Sequence, residues 1–360
     1  MIIKTLKLQN FRNYETLTID FDPGTNILYG NNAQGKTNIL EAVYLSGTTK
    51  SHKGCKDKEI IRFGSEESHI RILIEKQSHL FQIDMHLKKN RSKGIAVNKI
   101  PIKKASELFG ILNLVFFSPE DLNIIKNGPS ERRRFMDAEL CQLDKIYLDN
   151  LAKYNKILNQ RNKLLKDIYF RPDLKDTLSI WNIQLVQYGK KIIKSRREFA
   201  NQLNEIVTGI HYNISGGKEK MLLSYDPNIQ DHLFEEELEK AQEKDLKSGQ
   251  TTVGPHRDDM SFSIDGIDIR KFGSQGQQRT CALSLKLSEI ELVKKIMKDT
   301  PVLLLDDVLS ELDGNRQNYL LKNICDTQTI ITCTGLDEFI RSRFQINRIF
   351  EVMDGKVIRG

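Results

Sequence analysis

Hydrophobic positions recur every second residue near the start of the chain: Leu6 and Leu8, then Leu17, Ile19 and Phe21, with a break at Phe11, Arg12 and Asn13. Period-two alternation puts such side chains on one face of an extended pair of strands, here leading into a third strand over 26–29. The segment 70–74, the alternating set Phe81, Ile83, Met85 and Leu87, and the apolar run 111–117 predict further strands, together an antiparallel sheet that follows a first helix. Ser118-Pro119-Glu120-Asp121 reads as a helix start, with serine as the cap, proline in the first turn and acids beside it, and Asn127-Gly128-Pro129 stops that short helix. From Ser130 to about Glu243 the spacing turns helical and rich in Leu, Lys and Glu, interrupted at Arg171-Pro172 and at Ser215-Gly216-Gly217. Past Gly249 short strands return: 260–264 with an Asp265-Gly266 turn, a helix over 277–298, strands over 302–305 and 329–332, and a last pair closing on Asp354-Gly355. The pattern predicts an α/β fold in three stretches, 1–117 and 248–360 as two parts of one lobe and 118–247 as an inserted helical lobe.

Composition narrows this only a little. Hydrophobic residues at 39% and charged residues at 29% predict a chain folded almost throughout. No stretch reaches the roughly 20 apolar residues of a membrane span, and the first residues lack the apolar core of a signal peptide, so a cytoplasmic protein without a membrane partner is expected. Five cysteines (Cys55, Cys141, Cys281, Cys325, Cys333) contain no Cys-x-x-Cys pair, and the seven histidines show no ligand spacing, so neither a disulfide framework nor a zinc site is expected. The net charge of +7 suits a polyanionic partner without requiring one.

Candidate chemistry changes the picture more. Gly30, Asn31, Asn32, Ala33, Gln34, Gly35, Lys36 and Thr37 fit G-x-x-x-x-G-K-[ST], directly after one predicted strand and before the helical run 38–45. Glycines let backbone amides curl around phosphates, Lys36 reaches the β and γ oxygens, Thr37 ligates Mg²⁺, and the helix N-terminus faces the anion. A second feature is the apolar strand 302–305 ending in Asp306 and Asp307. In a phosphate-loop fold Asp306 then holds the Mg²⁺ water shell, and Asp307 polarises the attacking water as general base. About 270 residues separate Lys36 from Asp306, far more than in compact nucleotide switches, and the guanine-reading Asn-Lys-x-Asp is missing, so ATP is the expected nucleotide.

A third feature, Gly273-Ser274-Gln275-Gly276-Gln277-Gln278-Arg279, opens the helix before the acidic strand. Serine and glycine at a helix N-terminus make a second anion cradle, and one chain cannot aim both cradles at the same γ-phosphate. A head-to-tail homodimer sharing two ATPs is therefore expected. Ser310-Glu311-Leu312-Asp313 comes next; Asp313 reads both as part of the nucleotide set and as the cap of the next helix, and the two are compatible.

The ordered set of phosphate loop, helical insertion, Ser-x-Gly-Gln-Gln-Arg, Leu-Leu-Asp-Asp and Ser-Glu-Leu-Asp resembles the SMC-like ABC ATPases. Within them it is similar to the RecF family, through Leu6 to Tyr14 (Leu-x-Leu-x-Asn-Phe-Arg-Asn-Tyr), Gly-Asn-Asn-Ala-Gln-Gly-Lys-Thr, Phe117 to Leu122, Arg132 to Asp137 and Gly254-Pro255-His256-Arg257-Asp258-Asp259. These motifs run from residue 6 to 313. The resemblance implies an ABC-type ATPase head, with a mixed sheet plus an antiparallel N-terminal sheet, and a bacterial recombination mediator. It implies an ATP-dependent dimer on DNA at gaps or single/double-strand junctions, cooperation with RecR and RecO in loading RecA, and roles in replication restart and the SOS response.

Three departures from the wider ABC pattern predict slow, weak hydrolysis, a timed clamp rather than a motor, and the resemblance implies that DNA stimulates it. Cys333-Thr334-Gly335 carries no switch histidine, and Ser118-Pro119-Glu120-Asp121 stands where a metal-contacting glutamine is usual, while Asp307 is shorter than the usual glutamate. For DNA, Lys190, Lys194 and Arg197 make a basic helical stripe beside Lys191, and Lys50, Lys53, Lys56 and Lys58 cluster after the first helix; each reads as a phosphate contact or as a solvated face. Arg132, Arg133 and Arg134 at a helix start oppose its dipole and want a partner, either DNA or Asp121 or Asp137. A transporter's nucleotide-binding subunit is disfavoured by the large insertion and absent histidine, an SMC-like nuclease by the lack of a zinc cluster or extra acidic domain, and a non-catalytic ATP gate by Asp307.

Overall fold

The structure is a computed structural model and describes residues 1–324, 326–335 and 346–359. Two compact units emerge, Met1–Asp121 with Glu289–Gly360, and Leu122–Ser288.

The first unit opens with the hairpin β1 (Ile2–Phe11) and β2 (Tyr14–Asp20), where Leu6 faces Ile19 and Leu8 faces Leu17, all four buried as the alternation predicts. Next come β3 (Thr25–Tyr29), α1 (Lys36–Thr48), α2 (Asp57–Ile60), β4 (Glu67–Lys76), β5 (His79–Lys88), β6 (Arg91–Val97), β7 (Ile100–Pro101) and β8 (Leu114–Phe117). Strands in the order β2-β1-β4-β5-β6-β7 form an antiparallel sheet. One face buries Leu6, Ile70, Ile72, Ile83 and Met85, while the other shows Lys7, His69, Arg71 and Asp84, the pattern of a sheet wet on one side.

The second unit carries α3 (Leu122–Lys126), α4 (Pro129–Leu143), α5 (Lys145–Phe170), α6 (Leu178–Ile214), β9 (Met221–Asp226), α7 (Phe234–Lys240), α8 (Gln242–Ser248), β10 (Asp259–Ile264), β11 (Ile267–Asp268), α9 (Ile269–Phe272) and the start of α10 (Gln275–Met297). The long helices α5 and α6 pack against each other, and β11-β10-β9 make a small antiparallel sheet. The expected lobe limits at 117 and 247 differ from this division. Residues 248–288 group with the helices because β10 pairs with β9 and packs on α4.

The chain then returns to the first unit with β12 (Val302–Asp306), α11 (Gly314–Asn323), β13 (Thr329–Cys333), β14 (Ile346–Met353) and β15 (Lys356–Arg359). Here the order is β15-β14-β3-β13-β12-β8, parallel except for the β14–β15 hairpin. The run 111–117 therefore does not join the antiparallel sheet as expected. Its four strand residues, Leu114, Val115, Phe116 and Phe117, are all buried, and an unalternating apolar strand is the mark of a parallel sheet covered on both faces. Helix α1 packs against both sheets, and ten of its thirteen residues are buried, so it is a central rather than a surface helix. Among the described residues, Cys55, Cys141, Cys281 and Cys333 form no disulfide; Cys325 lies outside them. No helix among the described residues is long and apolar enough to cross a membrane.

Candidate nucleotide-binding site

Strand β3 lies between β13 and β14, with Ile27 and Leu28 buried, so the loop that leaves it starts from a rigid base. Gly30 has φ +150°, and a Cβ there would sit 2.2 Å from the Val352 carbonyl oxygen. Gly35 has φ +112°, where a Cβ would meet Asn13 Nδ2 at 2.4 Å and the Tyr14 hydroxyl at 2.8 Å. Both positions require glycine, through backbone conformation and close approach together. The ammonium of Lys36 is buried and donates to the carbonyls of Gly30 (2.7 Å) and Asn31 (2.9 Å), so the loop curls around its own cation. Asn31, Asn32 and Ala33 remain exposed and Gln34 is half-buried.

The pairing of β12 with β13 sets Asp306 opposite Thr332. Asp306 Oδ1 accepts from Thr37 Oγ1 and from Thr332 Oγ1, each at 2.8 Å. Phosphate-loop threonine and strand-end carboxylate, 269 residues apart, are thus hydrogen-bonded directly. These are hard oxygen donors, one of them anionic, the ligand type that Mg²⁺ takes. Asp307 is next, with φ +52°; its amide donates to Thr332 Oγ1 (3.0 Å), and its carbonyl accepts from Ser310 (2.8 Å). Burial, reinforced by the charge of Asp306 and opposed by Lys36, raises the Asp307 carboxyl above its ordinary range.

Sequence reasoning missed what holds the loop. The turn between β1 and β2 reaches it: Asn13 Nδ2 donates to the Gln34 carbonyl (2.9 Å), Tyr14 to the Gly35 carbonyl (3.1 Å), and Asn38 to Asn13 Oδ1 (2.9 Å). Asp354 N–H donates to Gln34 Oε1 (2.6 Å) from the other side. Arg12 forks onto Glu41 of α1 (2.8 and 2.7 Å), and Ser51 donates to the same carboxylate (2.5 Å). Although Glu41 is buried, those bonds hold its carboxyl below the ordinary range. The available signal was Phe11-Arg12-Asn13-Tyr14 itself, three polar-tipped side chains at a hairpin turn.

The second cradle belongs to the other unit. Ser274 Oγ accepts from the Gln277 amide (3.2 Å) while Gln277 Oε1 accepts from the Ser274 amide (3.0 Å), a reciprocal cap on α10. Ser274, Gln275 and Gly276 are exposed. Asp313 caps α11 by accepting from the amides of Asn315 and Arg316, so the helix-cap reading is the one observed. Ser118 is itself capped: its amide donates to Asp121 Oδ2 (2.7 Å).

Neither expected acid partners Arg132. It forks onto Asp259 (2.6 and 3.0 Å) and bonds the carbonyls of Ile124 and Asn127, while Arg133 donates to the Asp258 carbonyl (2.7 Å). Asp137 is taken instead by Arg196 (2.7 Å), which also binds Asp258 Oδ2 (2.9 Å) and the Pro255 carbonyl (2.6 Å). His256 accepts from Tyr154 at Nδ1 (2.8 Å) and donates from Nε2 to the Thr251 carbonyl (2.9 Å), a neutral imidazole whose pKa burial pushes down to about 4. The 254–259 stretch therefore staples α4, α5 and α6 together.

Of the basic candidates, Lys50, Lys53 and Lys56 are exposed after α1. On α6, Lys190 is half-buried, Lys194 lies 4.0 Å from Glu198, and Arg197 is tied to Asp231 (3.0 Å) and Gln230 (3.1 Å), so the stripe is partly neutralised.

A family model for the RecF/RecN/SMC N terminal domain matches residues 2–356. The chain is 72% identical over 357 residues to a DNA replication and repair protein RecF of Agathobacter rectalis, covering 99% of each chain. It is 62% identical over 360 residues to the RecF of Lachnospira eligens, again covering 99% of each. A solved structure of the recombination mediator protein RecF with ATP in the RecFOR pathway superposes with a TM-score of 0.93 at 38% identity, over 100% of this chain and 97% of that one. An Smc head bound to the C-winged helix domain of ScpA shares the fold alone, with a TM-score of 0.58 at 16% identity over 100% and 98% of the two chains.

Proposed function

We propose that this chain, which belongs to the RecF family of SMC-like ABC ATPases, is an ATP-timed, DNA-binding mediator of recombination in DNA replication and repair. One observation carries the chemical part: Lys36, Thr37 and Asp306 converge at the end of a parallel sheet, and a capped, exposed Ser274 helix start lies elsewhere on the chain. Residues 30–37 bind the ATP phosphates, with Lys36 leaving its own carbonyls for the β and γ oxygens. Thr37 and Asp306 would hold Mg²⁺, which when bound would neutralise charge on those phosphates. Asp307 takes a proton from the attacking water, helped by its raised pKa. Ser274, Gln275, Gly276 and Gln277 receive the γ-phosphate of a second copy, with Asp313 near that nucleotide, so ATP drives a head-to-tail dimer.

The dimer closes on DNA at gaps or single/double-strand junctions, and slow, DNA-stimulated hydrolysis reopens it. The similarity to a mediator of the RecFOR pathway supports RecR and RecO as partners; RecA loading as the outcome, roles in replication restart and the SOS response, and action in the cytoplasm complete the proposal. Fluorescence anisotropy tests the reading with a gapped and a continuous duplex of equal length. MgATP should tighten binding to the gapped duplex by at least about tenfold, in the range of ordinary allosteric coupling. Equal binding with and without ATP, or binding to neither duplex, overturns it.

A further inference from the structure

Gln277 in the second cradle is not free to turn. Its Nε2 donates to Glu219 Oε1 (2.9 Å), in the loop between α6 and β9. Glu219 Oε2 lies 3.1 Å from Nε2 of His211, a fully buried residue of α6, and His211 Nδ1 lies 3.0 Å from Ser284 Oγ, one helical stretch further along α10. The Ser284 hydroxyl donates to the Thr280 carbonyl (2.8 Å). Because a carboxylate only accepts, His211 Nε2 and Gln277 Nε2 both donate to Glu219. Glu219 must receive Gln277 Nε2, which leaves Gln277 Oε1 for the Ser274 amide and the Gln277 amide for Ser274 Oγ. A flipped carboxamide would set oxygen against carboxylate. Ser274 Oγ, as an acceptor in this arrangement, keeps its own hydrogen to donate outward.

The loop that carries Glu219 is itself held. Helix α6 ends in a left-handed turn at Gly216 and Gly217 (φ +67° and +78°), Gly217 N–H donates to the Tyr212 carbonyl (2.8 Å), and Glu219 N–H donates to Ser215 Oγ (3.2 Å). Cys281, one turn past Gln277, has its thiol pushed up to about 12, mainly by burial and further by the Glu219 charge.

From this geometry we infer that Glu219 and His211 are positioning residues for the second cradle: they fix the carboxamide of Gln277, and through it the Ser274 hydroxyl, toward the phosphate of a second copy. The inference rests on the reading of Ser274 as the partner-facing cradle. It makes the cradle's aim a property of α6 as well as α10.

ATP-driven dimerisation of the full chain, followed by sedimentation, tests it with Glu219→Ala, Glu219→Gln and Ser274→Arg, alongside binding of a fluorescent ATP analogue to the monomer. Glu219→Ala should weaken dimerisation about tenfold, the effect of losing one cap-fixing hydrogen bond, while monomer binding of the analogue stays unchanged. Glu219→Gln should restore it to within about threefold, because a carboxamide oxygen still accepts from Gln277. In a Gln277→Ala background Glu219→Ala should have no further effect. Dimerisation of Glu219→Ala at the wild-type level, with Ser274→Arg blocked, removes the positioning role and leaves the shared site standing. Normal dimerisation of Ser274→Arg removes both. Hydrogen exchange gives a readout that a folding defect would not mimic: in Glu219→Ala the amides of Ser274 and Gln277 should exchange faster while the middle of α10 stays protected. Loss of protection along the whole helix would overturn the inference.

Discussion

Asp307→Asn separates the carboxylate's charge from everything else the residue does. Its φ of +52° lies in the left-handed region that Asn enters as readily as Asp. The hydrogen bonds from its amide to Thr332 Oγ1 and from Ser310 to its carbonyl use its backbone atoms and survive the change. The substitution therefore removes the carboxylate's charge and basicity and little more. Loss of a general base costs about 10²- to 10⁴-fold in rate, or about 3–5 kcal/mol of barrier. ATP binding should be retained, because Lys36, Thr37 and Asp306 are untouched, and the ATP-bound dimer should persist longer by the same factor. Stability should move in the opposite sense to activity. Burial and Asp306 raise the folded pKa of Asp307, so its ionisation disfavours the fold: that penalty is absent below the unfolded value of 3.8 and grows as pH rises through the folded value. Asp307→Asn should accordingly melt no lower than wild type at pH 7.5, and any advantage should vanish near pH 3. Single-turnover hydrolysis of radiolabelled ATP and thermal melts read both effects. A rate within about threefold of wild type, small against the range for a lost base, would show that Asp307 is not the base.

The second unit supplies three further outcomes. His256 is buried neutral, its pKa lowered to about 4 from 6.5, so its contribution to stability is present above 6.5 and is lost as pH falls toward 4. The shift is equivalent to roughly 3 kcal/mol at most, and urea unfolding of wild type against His256→Gln at pH 4.5 and 7.5 should show the acid loss in wild type only. Arg161 and Asp245 are both fully buried and bonded at 2.7 Å. Arg161→Ala, by stranding Asp245, should cost about 3–5 kcal/mol, and adding Asp245→Leu to an Arg161→Met chain should recover most of it; a single change costing under about 1 kcal/mol in urea denaturation would contradict the pairing. On the α6 stripe, Lys190→Ala and Lys194→Ala should each reduce the salt slope of DNA affinity by about one, and Arg197→Ala by less, since Asp231 holds it. Unchanged slopes would take this face out of DNA binding.

The parts of the fold legible in the sequence are those set by local spacing. The alternation of Leu6, Leu8, Leu17 and Ile19 places the first hairpin, and the phosphate loop lies where its motif sits between strand and helix. Strand β9 was hidden because six residues inside a long helical stretch look like a brief pause, and Gly216-Gly217 breaks a helix whether a strand or another helix comes after it. Long-range pairing is beyond local spacing: Arg132 finds Asp259 across 127 residues, and Arg12 finds Glu41 because the hairpin turn lies beside α1. The histidines looked scattered, yet the β4–β5 register sets His69 opposite His86, with their rings stacked at 4.0 Å and Glu67 bonded to His86 at 2.9 Å. For the candidate nucleotide site, residue types and spacing named Lys36, Thr37 and Asp306, while the Asp306 oxygen that accepts from both Thr37 and Thr332 became visible only from the β12–β13 register.

Whether ATP closes two cradles from two copies around DNA is best decided by sedimentation velocity of wild type, Lys36→Arg and Ser274→Arg, each with and without MgATP and a gapped duplex. Wild type with MgATP and the duplex should sediment as a DNA-bound dimer, and both variants should stay monomeric under every condition. A dimer formed by Ser274→Arg, or a wild type that stays monomeric with ATP and DNA present, would contradict the two-cradle clamp.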